Sequence, residues 1–99
     1  MLTTDTKIDQ AAEILKIIAH PGRIRIILAL AEQPSLKVSA LQEQLQIEPS
    51  LLSHHLVKLK DRGLLDSKRS GKETRYFLTD SAPTQLIHLL LKREKSASR

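Results

Sequence analysis

The sequence predicts a mainly helical domain with a small β-hairpin, in the α-α-α-α-β-β-α order of a winged helix-turn-helix, paired as a homodimer. Three observations carry that expectation. Ile47-Glu48-Pro49-Ser50-Leu51-Leu52-Ser53-His54-His55-Leu56-Val57-Lys58-Leu59-Lys60 reads as a helix with one apolar seam and one small polar face. A basic stretch ending in Tyr76-Phe77-Leu78 follows, with the alternation of a two-stranded ribbon. The last helical stretch is apolar nearly all round, through Leu86, Ile87, Leu89, Leu90 and Leu91.

The first helix is expected over residues 6–19. Ile8, Ala11, Ala12, Leu15, Ile18 and Ala19 form one apolar stripe. Ile14 and Ile17 fall partly outside it, so the face is wider than one packing contact requires. His20-Pro21 breaks the pattern. His20 is expected to cap the second helix, and Pro21 suits its first turn, where no amide donor is missed. That helix spans Pro21–Glu32, buries Ile24, Ile27, Leu28 and Ala31, and ends at Gln33-Pro34-Ser35.

The third helix is short, over residues 40–46, with Leu41 and Leu45 inward. Ser39 with Gln42 three residues on has the spacing of a capping box. Gln46-Ile47-Glu48 then turns into a fourth helix with Pro49 at its first position. A short helix, a tight turn and a longer helix make a helix-turn-helix. Leu52, Leu56 and Leu59 recur at i, i+4 and i+7 and anchor the fourth helix. Gly63 closes it.

In the hairpin, Leu65, Ser67 and Arg69 alternate on one strand, and Thr74, Tyr76 and Leu78 on the other. Ser70-Gly71-Lys72-Glu73 is the turn, with Gly71 free to take positive φ. The last helix is expected over residues 79–95, with Asp80 or Ser81 as its cap. The domain so defined spans residues 6–95, and residues 1–5 and 96–99 are expected to lack order.

Composition narrows the function. Hydrophobic content is 40% with only one Tyr and one Phe, so the core must be Leu, Ile, Val and Ala, which favours packed helices. The absence of cysteine excludes disulfides, thiolate metal sites and thiol-based redox sensing. Residues 1–7 lack a cleavable leader pattern, and the apolar run at 86–91 is too short to span a bilayer. A cytoplasmic protein without membrane contact is expected. No Ser/His/Asp set, Gly-rich phosphate loop or paired acids in a cleft suggests an enzyme, and no cofactor motif is present.

Net charge is +5, and it is concentrated. Residues 48–76 hold seven basic side chains against four acidic ones, and residues 92–99 hold four against one. This fits a polyanion. Short hydroxyls and a histidine on an exposed helix face let a backbone approach DNA closely while supplying hydrogen bonds. The expected DNA contacts are Ser50, Ser53, His54 and Lys58 on the fourth helix, with Arg69, Lys72 and Arg75 on the wing. The expected dimer interface is Ile8 and Leu15 of the first helix with Leu86, Ile87 and Leu90 of the last. Its two-fold symmetry would present two recognition helices to two half-sites.

His20-Pro21-Gly22-Arg23-Ile24-Arg25-Ile26-Ile27, Leu36-Lys37-Val38-Ser39-Ala40-Leu41, residues 50–59, Gly63-Leu64-Leu65, Tyr76 and Leu78 together resemble the ArsR/SmtB family of bacterial repressors. The likeness runs over roughly residues 8–91, and its specificity lies in the His-Pro-x-Arg opening combined with Ser-His-His-Leu. It implies a winged-helix homodimer on a palindromic operator, with DNA contacts at Pro49, Ser50, Ser53, His54 and the wing around Arg69 and Arg75. Leu51 stands where the family usually has a small polar residue, and a thymine methyl is a fitting contact for it.

The resemblance also implies metal sites that this sequence does not keep. Lys37 and Ser39 occupy the Cys-x-Cys positions of one site type. At the other, Asp80 remains, but Ala82 and Lys92 replace ligands, and a lysine ammonium repels a metal ion. No metal is expected. Of the histidines, His54 is expected at DNA, His55 packed behind its helix, and His88 at the dimer interface. Two function classes remain: an operator-binding repressor, or a winged-helix module that contacts a partner protein and binds DNA weakly. The basic helix and hairpin favour the first. The effector stays open among a small organic molecule, a protein and none.

Overall fold

Tight local signals place the element boundaries. A computed structural model describes residues 2–93. Helices α1 (Leu2–Ile18), α2 (Pro21–Glu32), α3 (Val38–Leu45), α4 (Pro49–Asp61) and α5 (Ala82–Leu91) alternate with strands β1 (Leu36–Lys37), β2 (Leu65–Ser70) and β3 (Glu73–Leu78). The expected order is therefore present, with one strand more. β1 pairs antiparallel with β3, so the sheet is three-stranded in the order β1-β3-β2. A two-residue strand has no alternation to read, and its partner lies about forty residues away in sequence.

Other boundaries shift. α1 begins at Leu2 rather than Thr6, so residues 2–5 are helical. α3 starts two residues before Ala40, with Lys37 at its N-cap and no side-chain cap bond, so the Ser39–Gln42 capping box does not form. α5 spans Ala82–Leu91, shorter than 79–95; Asp80 Oδ1 accepts from the Ala82 amide at 3.0 Å. His20 is the N-cap residue of α2 but makes no side-chain cap bond. Met1 and residues 94–99, including the expected domain end and the tail at 96–99, lie outside the described residues.

α4 ends as expected. Gly63 takes φ +76°, its amide bonds Lys60 O, and the Leu64 amide bonds Leu59 O at 3.0 Å. This pair of bonds is a Schellman closure. It swings the chain into β2, whose register with β3 pairs Leu65 with Leu78, Ser67 with Tyr76 and Arg69 with Thr74. Gly71, at φ +65°, makes the tip.

The core lies between α2, α3, α4 and the base of the sheet. Ile26, Ile27, Leu41, Leu52 and Leu59 are fully buried, and Ile18, Ala29, Leu30, Leu56, Leu64, Leu65 and Ile87 pack with them. On α2 the inward residues are Ile26, Ile27, Ala29 and Leu30, with Ile24 and Leu28 half-buried and Ala31 exposed. Ile14, Ile17 and Ile18 dock α1. These are largely the residues that fell outside its expected stripe. Of that stripe, Ile8, Ala11, Ala12, Leu15 and Ala19 face outward, and Ile18 alone turns inward.

Candidate nucleic-acid interface

α4 is anchored from behind by a buried polar pair. Arg23, 5% exposed, reaches from α2 toward His55, 7% exposed, on α4. Arg23 Nε donates to His55 Nδ1 at 3.0 Å, and Nη1 donates to Ile17 O at 2.9 Å. An arginine cannot accept, so His55 is neutral at Nδ1. Burial, the Arg23 charge, and His20 and His54 all push the His55 pKa below its ordinary 6.5. One arginine thus ties α1, α2 and α4 together. Gly22 makes room: a Cβ there would lie 2.8 Å from His55 Nε2.

The opposite face of α4 is free. Pro49, Ser50, Leu51, Ser53, His54 and Lys58 are all exposed. Ser50, Ser53, His54 and Val57 fall at i, i+3, i+4 and i+7, a single outward stripe. Val57, half-exposed at the C-terminal end of that stripe, lies outside the contacts expected from sequence, although continuing the spacing from Ser50 finds it. The sequence places Glu48 in the turn before α4. It is the N-cap: its carboxylate accepts from the Leu51 amide at 3.0 Å and from Ser50 Oγ at 2.7 Å. The Ser50 hydroxyl first, then the Leu51 and Ser50 amides, hold the carboxyl below the usual range.

The wing stands beside this helix. Lys60 Nζ donates to Ser67 Oγ at 2.8 Å and braces β2 against the end of α4. Arg69 Nε donates to Gly71 O at 3.2 Å and stiffens the tip, where Lys72 is exposed. Arg75 is half-buried and donates to Ser35 Oγ at 3.2 Å, so it braces the wing's base as well as adding charge. Lys37 and Lys68 flank Arg75 directly across the two ladders. Like charges opposite one another are unfavourable in isolation. Only Lys37 has a carboxylate near, Glu73 at 3.1 Å. Such a row is what a polyanion would relieve.

The expected dimer residues divide. Ile8, Leu15 and Leu90 are more than half exposed, as are Leu89 and Leu91. Leu86 is half-buried. Ile87 is a correction: at 2% exposure it belongs to the protomer's own core, because the face of α5 turned to α2 carries Pro83, Thr84 and Ile87. An apolar cavity of about 300 Å³ between α1 and α5 is lined by Ala11, Leu15, Leu64 and Leu86 among others. No group of three metal-binding side chains occurs among the described residues.

Comparison with known proteins identifies the family and the fold. Residues 20–67 match the model of the bacterial regulatory protein, arsR family. The chain is 32% identical to the HTH-type transcriptional regulator YgaV of Escherichia coli K12, over 83% of each chain. It is 31% identical to the transcriptional repressor PagR of Bacillus anthracis, covering 84% of this chain and 83% of that one. The crystal structure of the transcriptional repressor BigR from Xylella fastidiosa superposes with a TM-score of 0.81 at 26% identity, covering 94% and 96% of the two chains. The fold that carries α4 and the wing is thus a shared one, and the chain belongs to the ArsR family of bacterial DNA-binding transcriptional regulators.

Proposed function

We propose that the protein is a cytoplasmic homodimeric repressor that binds a palindromic operator, α4 reading bases in the major groove and the wing holding phosphates. The observation that carries this reading is the outward stripe of Ser50, Ser53, His54 and Val57 on a helix held from behind by Arg23 and His55. Ser53 and His54 supply hydrogen bonds to base edges, while Leu51 and Val57 supply apolar contact to thymine methyls. Lys58, Arg69 and Lys72, with Arg75 behind them, supply the charge that sets affinity and salt dependence. The chain would act by occupancy, without chemistry of its own.

A mobility-shift assay with the upstream region of the protein's own gene tests the reading. Saturable binding that resists random competitor duplex supports it, and equal affinity for both duplexes would sink it. Lys37 and Ser39, and separately Asp80 with Ala82 and Lys92, leave too few donors of the right type for metal sensing. Stoichiometric zinc should therefore leave the operator complex intact in the same assay. Release by zinc, with micromolar binding by calorimetry, would identify a site elsewhere, and His88 or His20 would be mutated first.

A further inference from the structure

A helix N-terminus pointed at DNA ordinarily offers its free amides to a phosphate. At α4 the chain's own carboxylate occupies that place. Glu48 Oε1 accepts from the Leu51 amide at 3.0 Å and from Ser50 Oγ at 2.7 Å, and Oε2 lies 2.9 Å from the same hydroxyl. A serine hydroxyl has one proton and two acceptor lone pairs. Here that proton is committed to a carboxylate in a charge-assisted bond. Ser50 therefore offers lone pairs alone, and an ionised Glu48 has no donor. Both side chains are exposed, at the end of α4 that enters the groove in helix-turn-helix docking.

We infer that Glu48 sets the base choice of Ser50: the two form an acceptor-only corner that takes an exocyclic amino group at the base pair it meets. In the major groove that group is adenine N6 or cytosine N4. Guanine, with acceptors at O6 and N7, and thymine, with O4, are refused at that orientation, and so is a phosphate. Hydrogen bonds from Ser50 and two backbone amides favour the charged carboxylate, so the corner keeps its acceptors at neutral pH. Without the carboxylate, the hydroxyl would rotate and donate, and Ser50 would lose its preference. The inference rests on α4 being the reading helix.

The test is selection of bound duplexes from a random library by the full-length wild type, Glu48→Ser, Ser50→Ala, Ser53→Ala and His54→Ala. Glu48→Ser keeps a hydroxyl cap at the N-terminus of α4, and circular dichroism confirms that the helix content is kept. The wild type should show one position per half-site, lost in Ser50→Ala, where adenine or cytosine in fixed orientation exceeds guanine about five- to tenfold. Glu48→Ser should admit guanine and thymine at that same position. A Ser50-dependent position that prefers guanine or thymine in the wild type, or that Glu48→Ser leaves unchanged, would overturn the inference. If Ser50→Ala changes no position while Ser53→Ala or His54→Ala relaxes others, the inference fails and the reading helix stands. If none of the three changes any position, both fail together.

Discussion

At Gly22 the absence of a side chain sets how closely two helices approach. Alanine is the better helix former by about 1 kcal/mol. A methyl at Gly22, however, would sit 2.8 Å from the ring nitrogen of a buried His55 that Arg23 holds in place. Overpacking of this kind costs about 1–3 kcal/mol, so the clash should win. Gly22→Ala is expected to lower the melting temperature by several degrees, and a variant as stable as wild type would show that the ring yields freely. His55 itself gives a pH signature. Its folded pKa lies below the unfolded value of 6.5, so between those values the unfolded chain binds the extra proton. The stabilising contribution is complete above about pH 6.5 and is lost as pH falls toward the depressed value. Urea midpoints at roughly pH 7.5 and pH 5.5 measure this. His55→Gln, which keeps an acceptor for Arg23 without a titrating ring, should shrink the difference between the two midpoints.

On the scale of elements, α4 and the wing divide the work of binding. In the proposed complex the stripe on α4 points at bases, so His54→Ala or Ser53→Ala should reduce discrimination between operator and random duplex by about 1–3 kcal/mol. The wing carries charge without base-reading geometry. Arg69→Ala or Lys72→Ala should weaken both duplexes equally and lower the salt slope by about one unit. Arg75→Ala differs from these, because Arg75 also ties β3 to Ser35. It should lower stability as well as affinity, which a thermal melt run beside the binding titration separates. If the wing changes leave binding untouched, the contact surface lies elsewhere, with the basic residues near Lys92 the next place to look.

For the whole molecule, the radius of gyration is 15.1 Å, against about 13 Å for a compact domain of this length. Extents of 46 × 40 × 23 Å describe a flattened body. Apart from Leu51 and Val57 on α4, the exposed large apolar side chains among the described residues lie on α1 and α5, with Leu15 at 52%, Leu89 at 66% and Leu90 at 56%. An exposed apolar face of this kind marks an interaction surface. A second copy covering it by a two-fold operation would also place two α4 helices on one side of a duplex. Light scattering at micromolar concentration should report about twice the 11.1 kDa chain mass. Leu90→Glu should give monomer or aggregate, because the partner face would bury an unpaired charge. A folded wild-type monomer would remove the basis for the dimer.

Several features of this protein were determined by local sequence alone. Pro49 and Gly63 bracket α4, and the spacing of Leu52, Leu56 and Leu59 orients it, because caps and periodicity act within one element. The hairpin register follows from alternation and a glycine at its tip. The outward placement of Ser53 and His54 followed from the same seam. Tertiary structure alone decided which part of an over-wide apolar helix faces its own core: Ile14, Ile17 and Ile18 dock α1, leaving Ile8 and Leu15 outside, and Ile87 turns inward while Leu89 and Leu90 do not. It also decided β1, whose only cause is an edge of β3 brought beside Leu36 and Lys37. The Arg23–His55 pair is of the same kind, since 32 residues separate a donor from the acceptor that makes its burial tolerable. Periodicity reports that a face is apolar; only the packed chain chooses the surface that covers it.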